Sequence, residues 1–213
     1  MPSISFRCTP SIKITPKIKV QITHAQIAKI KAAILELRLD LIGRVHGGNY
    51  QPHAVCPKCK RGLTAMEIIS GFRDDPNDYT TSCTFCNARF EPKLVYRIGD
   101  SRAELPFYCA TQVLAQLDGL QTLTPEEIQK TAPAVYHSTR VHHGNFRIAF
   151  QQIGLPYAFE TVSDWKEKVK DFLGKLPDTM VAKVVDLSVR TVRTLRNSRG
   201  IKPFNRRALL EDE

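Results

Sequence analysis

The pattern of apolar and polar positions changes period several times along the chain. From Ile12 to Ile22, IKITPKIKVQI alternates apolar residues with lysine or other polar residues. That is the period of a strand, interrupted at Pro16. Beyond Thr23 the apolar positions move to Ile27, Ile30, Ile34, Leu37 and Leu41, the spacing of one helix face. Thr23 and Gln26 supply a capping box, and Gly43 or the Gly47–Gly48 pair supplies the stop. A helix of this kind packs on its own domain or, alternatively, offers residues 24–44 to a partner. Further on, TPEEIQ opens a helix with Thr124 as cap, Pro125 at the first helical position and Glu127 closing a capping box. In DWKEKVKDFL, Ser163 is the expected cap, Trp165, Val169, Phe172 and Leu173 share a face, and Gly174 ends the helix. Pro177–Asp178 then starts TMVAKVV, followed by the turn DLS, the helix VRTVRTLRNSR and the stop at Gly200.

No apolar run reaches the ~20 residues of a membrane helix, so no membrane partner is expected. The first twenty residues lack the apolar block of a secretory signal, which makes a cytoplasmic, reducing setting the expectation. The six cysteines are then metal ligands or free thiols before they are disulfides. The formal net charge of +10 is uneven: +8 over residues 1–60, −2 over 61–163 and +4 over 164–213. Two basic ends favour a polyanionic partner, because neutralised phosphates release counterions.

Cys56 and Cys59 in CPKC are separated by 23 residues from Cys83 and Cys86 in CTFC. Two short thiolate knuckles supply four soft ligands for one Zn2+, and four thiolates close the shell, as expected of a structural ion. Cys8 and Cys109 have no such partner, and Cys109 in LPFYCATQVLAQL is expected as a small buried hydrophobe.

The segment CPKCKRGLTAMEIISGFRDDPNDYTTSCTFCNARFEPKL resembles a zinc ribbon with a helical insertion, a pattern similar to the zinc-ribbon tail of some DENN-domain proteins. The resemblance implies a helix at Leu63–Ser70 and strands at Tyr79–Ser82 and Arg89–Tyr96. Residues 136–155, with Gly144, Phe146, Ala149, Gly154 and Leu155, resemble the small repeat beside HNH homing endonucleases; an ordinary helical hairpin is the alternative. His142, His143 and Asn145 have HNH-like residue types, but no histidine follows His143. That nuclease chemistry needs one, so no catalytic residue is expected.

In the last segment Ala182, Leu187, Val192 and Leu195 fall where a helix-turn-helix buries its contacts, and the resemblance to that family covers about thirty residues, including GIKPF. Asp186 stands where the turn favours glycine. With Val192 and Leu195 inward, the outward face is Ser188, Val189, Arg190, Arg193, Thr194 and Asn197, residue types suited to base edges. Arg196, Arg199, Lys202, Arg206 and Arg207 are the expected phosphate anchors. The expected fold is mainly α with a small β zinc ribbon, built as several small modules. These are a basic arm and long helix over 1–50, a zinc ribbon over 51–98, a helical module over 99–160 and a helix-turn-helix with basic tail over 161–207. The expected function is non-enzymatic binding of double-stranded DNA in regulation, transcription or mobile-element recombination. The alternatives are an RNA- or ribosome-associated protein, favoured if Phe85 and Phe90 are exposed stacking platforms, and a protein-interaction adaptor.

Overall fold

Helix α1 (His24–His46) opens with the expected capping box: the Thr23 hydroxyl accepts from the Gln26 N–H, and the Gln26 side chain accepts from the Thr23 N–H. The computed structural model describes residues 23–98, 101–159, 162–206 and 209; the strand expected at Ile12–Ile22 and the anchor Arg207 lie outside them. Helix α1 runs past Gly43 and ends before Gly47, whose φ of 80° breaks it. Its buried residues are not one stripe. Ile30, Leu35, Leu39, Leu41, Ile42 and Val45 are covered, whereas Ile27 stays 39% exposed, because the helix is packed by several elements at once.

Strand β1 (Asn49–Val55) alternates strictly, sending Tyr50, Pro52 and Ala54 inward. It lies between β2 (Gly62–Leu63) and β5 (Lys93–Ile98), and β6 (Ser101–Pro106) completes an antiparallel sheet of order β2-β1-β5-β6. Leu63 therefore pairs with Ala54 rather than starting a helix. The inserted helix α2 (Ala65–Gly71) begins after Thr64, which forms a capping box with Glu67. Strand pairing in the ribbon is shorter than expected. Between the two strands expected at Tyr79–Ser82 and Arg89–Tyr96, pairing is confined to β3 (Thr81–Ser82) and β4 (Arg89–Phe90), and β5 turns away to join the larger sheet.

Four further helices follow: α3 (Ala110–Gln116), α4 (Pro125–Thr131), α5 (Pro133–His143) and α6 (Phe146–Gln152). The Thr124–Glu127 capping box and Pro125 start α4 as the sequence predicts. Helix α5 is buried nearly all round, and on one side it contacts α1, the sheet and α8 (Asp178–Val185). Two apolar clusters result. The larger gathers residues of α1, β1, the cysteine knuckles, β5, α8 and Val192; the smaller holds Val113, Leu117, Ile128, Phe146 and Phe150. Mainly helical structure with a small antiparallel sheet is thus what the chain adopts.

The C-terminal segment departs from expectation in three places. Ser163 does not cap a long helix: Asp164, at φ 53°, precedes the four-residue α7 (Trp165–Lys168), and a single 3₁₀ turn (Lys170–Phe172) follows. Val169, Phe172 and Leu173 are nevertheless buried together. Leu187 is 36% exposed, and the inward positions of α8 are Val181, Ala182, Val184 and Val185. Arg196 is the largest departure. It lies inside, on the buried side of α9 (Val189–Ser198), next to Val192. Its Nε donates to Asp178 at 3.0 Å, and its Nη1 donates to the Ile201 carbonyl at 2.8 Å. A guanidinium one helical turn from Val192 falls on the same face, and it is tolerated there because Asp178 supplies the opposite charge.

The Arg196 side chain is 6% exposed and that of Asp178 13%, so removing one partner strands a desolvated charge. Arg196→Ala is expected to cost roughly 3–5 kcal/mol in urea unfolding, and an Asp178→Ala/Arg196→Met pair much less. Equal destabilisation by the single and double changes would contradict this account.

Candidate functional site

The cysteine knuckles are two copies of one turn. In the first, the Lys60 N–H donates to the Cys56 carbonyl at 2.9 Å and the Cys56 N–H to the Arg61 carbonyl at 2.9 Å; Lys60 has φ 60°. In the second, the Asn87 N–H donates to the Cys83 carbonyl at 3.0 Å and the Cys83 N–H to the Ala88 carbonyl at 2.9 Å; Asn87 has φ 54°. A left-handed residue directly after each C-x2-C folds the backbone round so that both sulfurs face the same point. Cys56 and Cys86 sulfurs stand 3.5 Å apart, Cys59 and Cys83 sulfurs 3.6 Å, and all four lie within 4.8 Å of one another. A tetrahedron with metal–sulfur bonds of ~2.3 Å has edges of about 3.8 Å. A disulfide would bring two sulfurs to ~2.05 Å. The four residues therefore have the arrangement of a metal site, and the thiols are free.

The thiols are not equivalent. The Cys59 N–H pulls the Cys56 thiol down to about 6. The N–H groups of Phe85 and Cys86 likewise lower Cys83. Cys59, although its sulfur also meets the Arg61 N–H, is pushed up to about 11 by desolvation and the neighbouring sulfurs. A cation at the centre would relieve this crowding by taking all four as thiolates. Beside the knuckles, the Arg61 guanidinium lies 3.2 Å over the ring of Phe85, which is half exposed; Phe90 is half-buried against the main cluster.

Helix α8 ends at Asp186, in the left-handed conformation at φ 53°, and Ser188 caps α9 by accepting from the Thr191 N–H at 3.1 Å. Arg190, Arg193, Thr194 and Asn197 project to solvent, whereas Val189 is half-buried. Arg193 reaches only to 3.9 Å from Asp178, with its side chain 62% exposed. Of the expected anchors, Arg196 is spent inside and Arg199 is bonded to Glu167 at 3.0 Å; Lys202 and Arg206 are exposed.

His143 and Asn145 are buried and His142 is half-buried, and all three are built into the packing. His142 bonds the Tyr108 carbonyl through Nε2 at 2.7 Å and stacks on Phe107, and its own carbonyl accepts from Arg38 at 2.8 Å. Asn145 caps α6, its Oδ1 accepting from the Ile148 N–H, and its amide donates to the Lys183 carbonyl. His46, which sequence reading passed over, bonds the Val184 carbonyl at 3.1 Å. Burial holds His142 down at about 3, and burial, then Arg140, holds His46 at about 2; His137 is lowered to about 4 by the same two causes. The signal for Asn145 was present, since asparagine before an apolar helical run is a cap. No sequence signal marks His46, and Asp178 is legible only as a helix start, not as the partner of Arg196.

Comparison with protein-family models, curated proteins and solved structures gives no match.

Elemental analysis of purified chain is expected to find close to one metal ion per molecule. Cys83→Ser should lose it, with hydrogen exchange rising in β1, β3 and β4; a metal-free chain with protected knuckles would refute the site. These three histidines set a second expectation. Unfolded, they protonate below about 6.5, whereas folded they remain neutral to about 4, 3 and 2. Their stabilisation is present above pH 6.5 and is lost as the pH falls, at about 1.4 kcal/mol per pH unit for each histidine. His142→Gln, which keeps a donor for Tyr108, should flatten the fall in stability between pH 6 and 4 by about one proton. Parallel curves for the two chains would show that His142 is not held neutral.

Proposed function

We propose that this chain is a non-enzymatic, zinc-containing DNA-binding protein in which α8, the Asp186–Ser188 turn and α9 act as a helix-turn-helix. The observation that carries the reading is the outward side of α9. Arg190, Arg193, Thr194 and Asn197 stand exposed there, and α9 contains no acidic residue. Guanidinium and amide groups match the acceptor and donor patterns of guanine and adenine edges in a major groove. Ser188 contributes as the cap that orients the first turn. Lys202 and Arg206 are the remaining described candidates for backbone contact, and Arg199 contributes by fixing α9 to Glu167. The four-sulfur set suits zinc in preference to harder cations, and a shell closed by thiolates suits a structural role. Engagement of His142, His143 and Asn145 in packing supports the non-enzymatic part of the reading.

A second reading, RNA association, draws on one observation: the half-exposed Phe85 under Arg61, a platform on which an unpaired base would stack.

Selection from a random duplex library is expected to enrich one motif, and competition by structured RNA to be weaker than by that duplex. Arg193→Ala should cost roughly 1–3 kcal/mol on the enriched site and relax discrimination at one base pair. Arg206→Ala should weaken all duplexes alike. If the two substitutions weaken specific and random duplexes by the same factor, α9 is a basic surface and not a reader.

A further inference from the structure

The outer side of α9 is divided by its neighbour α7. Along one flank Trp165 and Lys166 of α7 face Arg190, Thr194 and Leu195 of α9 across an open cleft of about 430 Å³. Leu195 is half-buried and forms part of its floor, and the Thr194 hydroxyl is turned back to the Arg190 carbonyl at 2.9 Å. The Thr191 and Ser198 hydroxyls, which also line the cleft, are engaged with the Ser188 hydroxyl at 2.7 Å and the Leu195 carbonyl at 2.8 Å. The polar side chains left without a partner are three: the Trp165 indole N–H, the Lys166 ammonium and the Arg190 guanidinium. All three are donors only. Among the described residues none of these side chains has a hydrogen-bond or ion-pair partner, and no carboxylate lines the cleft.

Several other cations of the C-terminal segment are held by partners. Arg196 is bonded to Asp178, Arg199 to Glu167, Arg147 to Asp186, and Lys168 to the Val45 carbonyl. Glu167, which follows Lys166 directly, is turned to Arg199. Lys166 and Arg190, like Lys170, Lys175, Lys183, Lys202 and Arg206, have no side-chain hydrogen-bond or ion-pair partner among the described residues; what sets the cleft apart is that two such cations and an indole N–H line one opening.

We infer that the α7–α9 cleft is a phosphate clamp, in which Trp165, Lys166 and Arg190 together hold a phosphodiester of the DNA backbone beside the groove that α9 enters; the inference rests on the DNA-binding reading above. A phosphodiester offers acceptors and negative charge and no donor, the complement of three donors without a carboxylate. Arg190 then serves as an anchor, while base reading falls to Arg193 and Asn197 on the other flank. The clamp fixes the register of α9 from outside the groove.

Lys166→Gln and Arg190→Gln, both at exposed positions, test the clamp by fluorescence-anisotropy titration of the enriched duplex and a scrambled one at several salt concentrations. Each should weaken both duplexes by the same factor, about tenfold at 0.1 M salt, and lower the salt slope by about one. Melting temperature and metal content should stay unchanged. Trp165 is the only tryptophan, so its emission should change on duplex binding and be restored by high salt. Trp165→Phe, which keeps a ring and removes the donor, should weaken both duplexes equally with the salt slope unaltered. The clamp is overturned if Lys166→Gln binds as the parent chain does, or if Arg190→Gln relaxes discrimination at a base pair. If the parent chain binds no duplex at all, the DNA-binding reading falls, and the clamp with it; duplex binding with an unaffected Lys166→Gln removes the clamp alone.

Discussion

The carbonyls at the C-terminal end of α8 need hydrogen-bond donors inside the protein, and the placement of the last third of the chain follows from how they are found. A helix leaves its final carbonyls without intrahelical partners, and burial makes each one costly if unmet. Here the Asn145 amide takes the Lys183 carbonyl, His46 takes that of Val184, and the Leu187 N–H closes on that of Ala182. Two of these donors come from distant segments, the α5–α6 turn and the end of α1, and the third from the α8–α9 turn that follows directly, so one helix end draws two distant segments to itself. Gly144, at φ 89°, permits the contact: a Cβ there would stand 3.2 Å from the Lys183 carbonyl oxygen.

Backbone anchoring also accounts for how His46 and His142, both half-buried, are held. His46 and His142 each meet a backbone carbonyl, and neutral imidazole has a single N–H for that purpose. Their low proton affinity is a consequence of that burial. Residues that resemble nuclease chemistry in one dimension are therefore struts in three. Asn145, which could have oriented a catalytic group, instead caps α6 with one end of its amide and α8 with the other.

Arginine in the C-terminal helix is divided by environment. Positions 190, 193, 196 and 199 recur every three residues, so successive arginines step round the helix and cannot share one face. Position 196 meets Asp178 at the start of α8 and becomes interior, position 199 meets Glu167 of α7, and positions 190 and 193 are left to solvent. The two paired arginines tie α9 to α8 and α7, which gives the two exposed ones a rigid base. A surface that recognises a ligand through a few side chains depends on such support.

Local signals determined much of this protein by themselves. Thr23–Gln26 and Thr124–Glu127 act at helix starts where the sequence places them, because a cap is a bond between neighbours along the chain. The C-x2-C pairs, each closed by its own turn, likewise encode the four-sulfur cluster, and Asp186 takes the left-handed turn position. What the sequence could not decide was which of several equivalent groups would find a distant partner. Arg196 looked like its exposed neighbours until Asp178 was brought against it, and Leu187 looked like core until α8 turned its valines inward instead. The strand expected at Arg89–Tyr96 divides because β5 finds β1, a pairing between segments some forty residues apart. Caps and knuckles are short-range and readable in order. Burial, ion pairing and strand partnership depend on which surfaces meet, and only the folded chain brings those surfaces together.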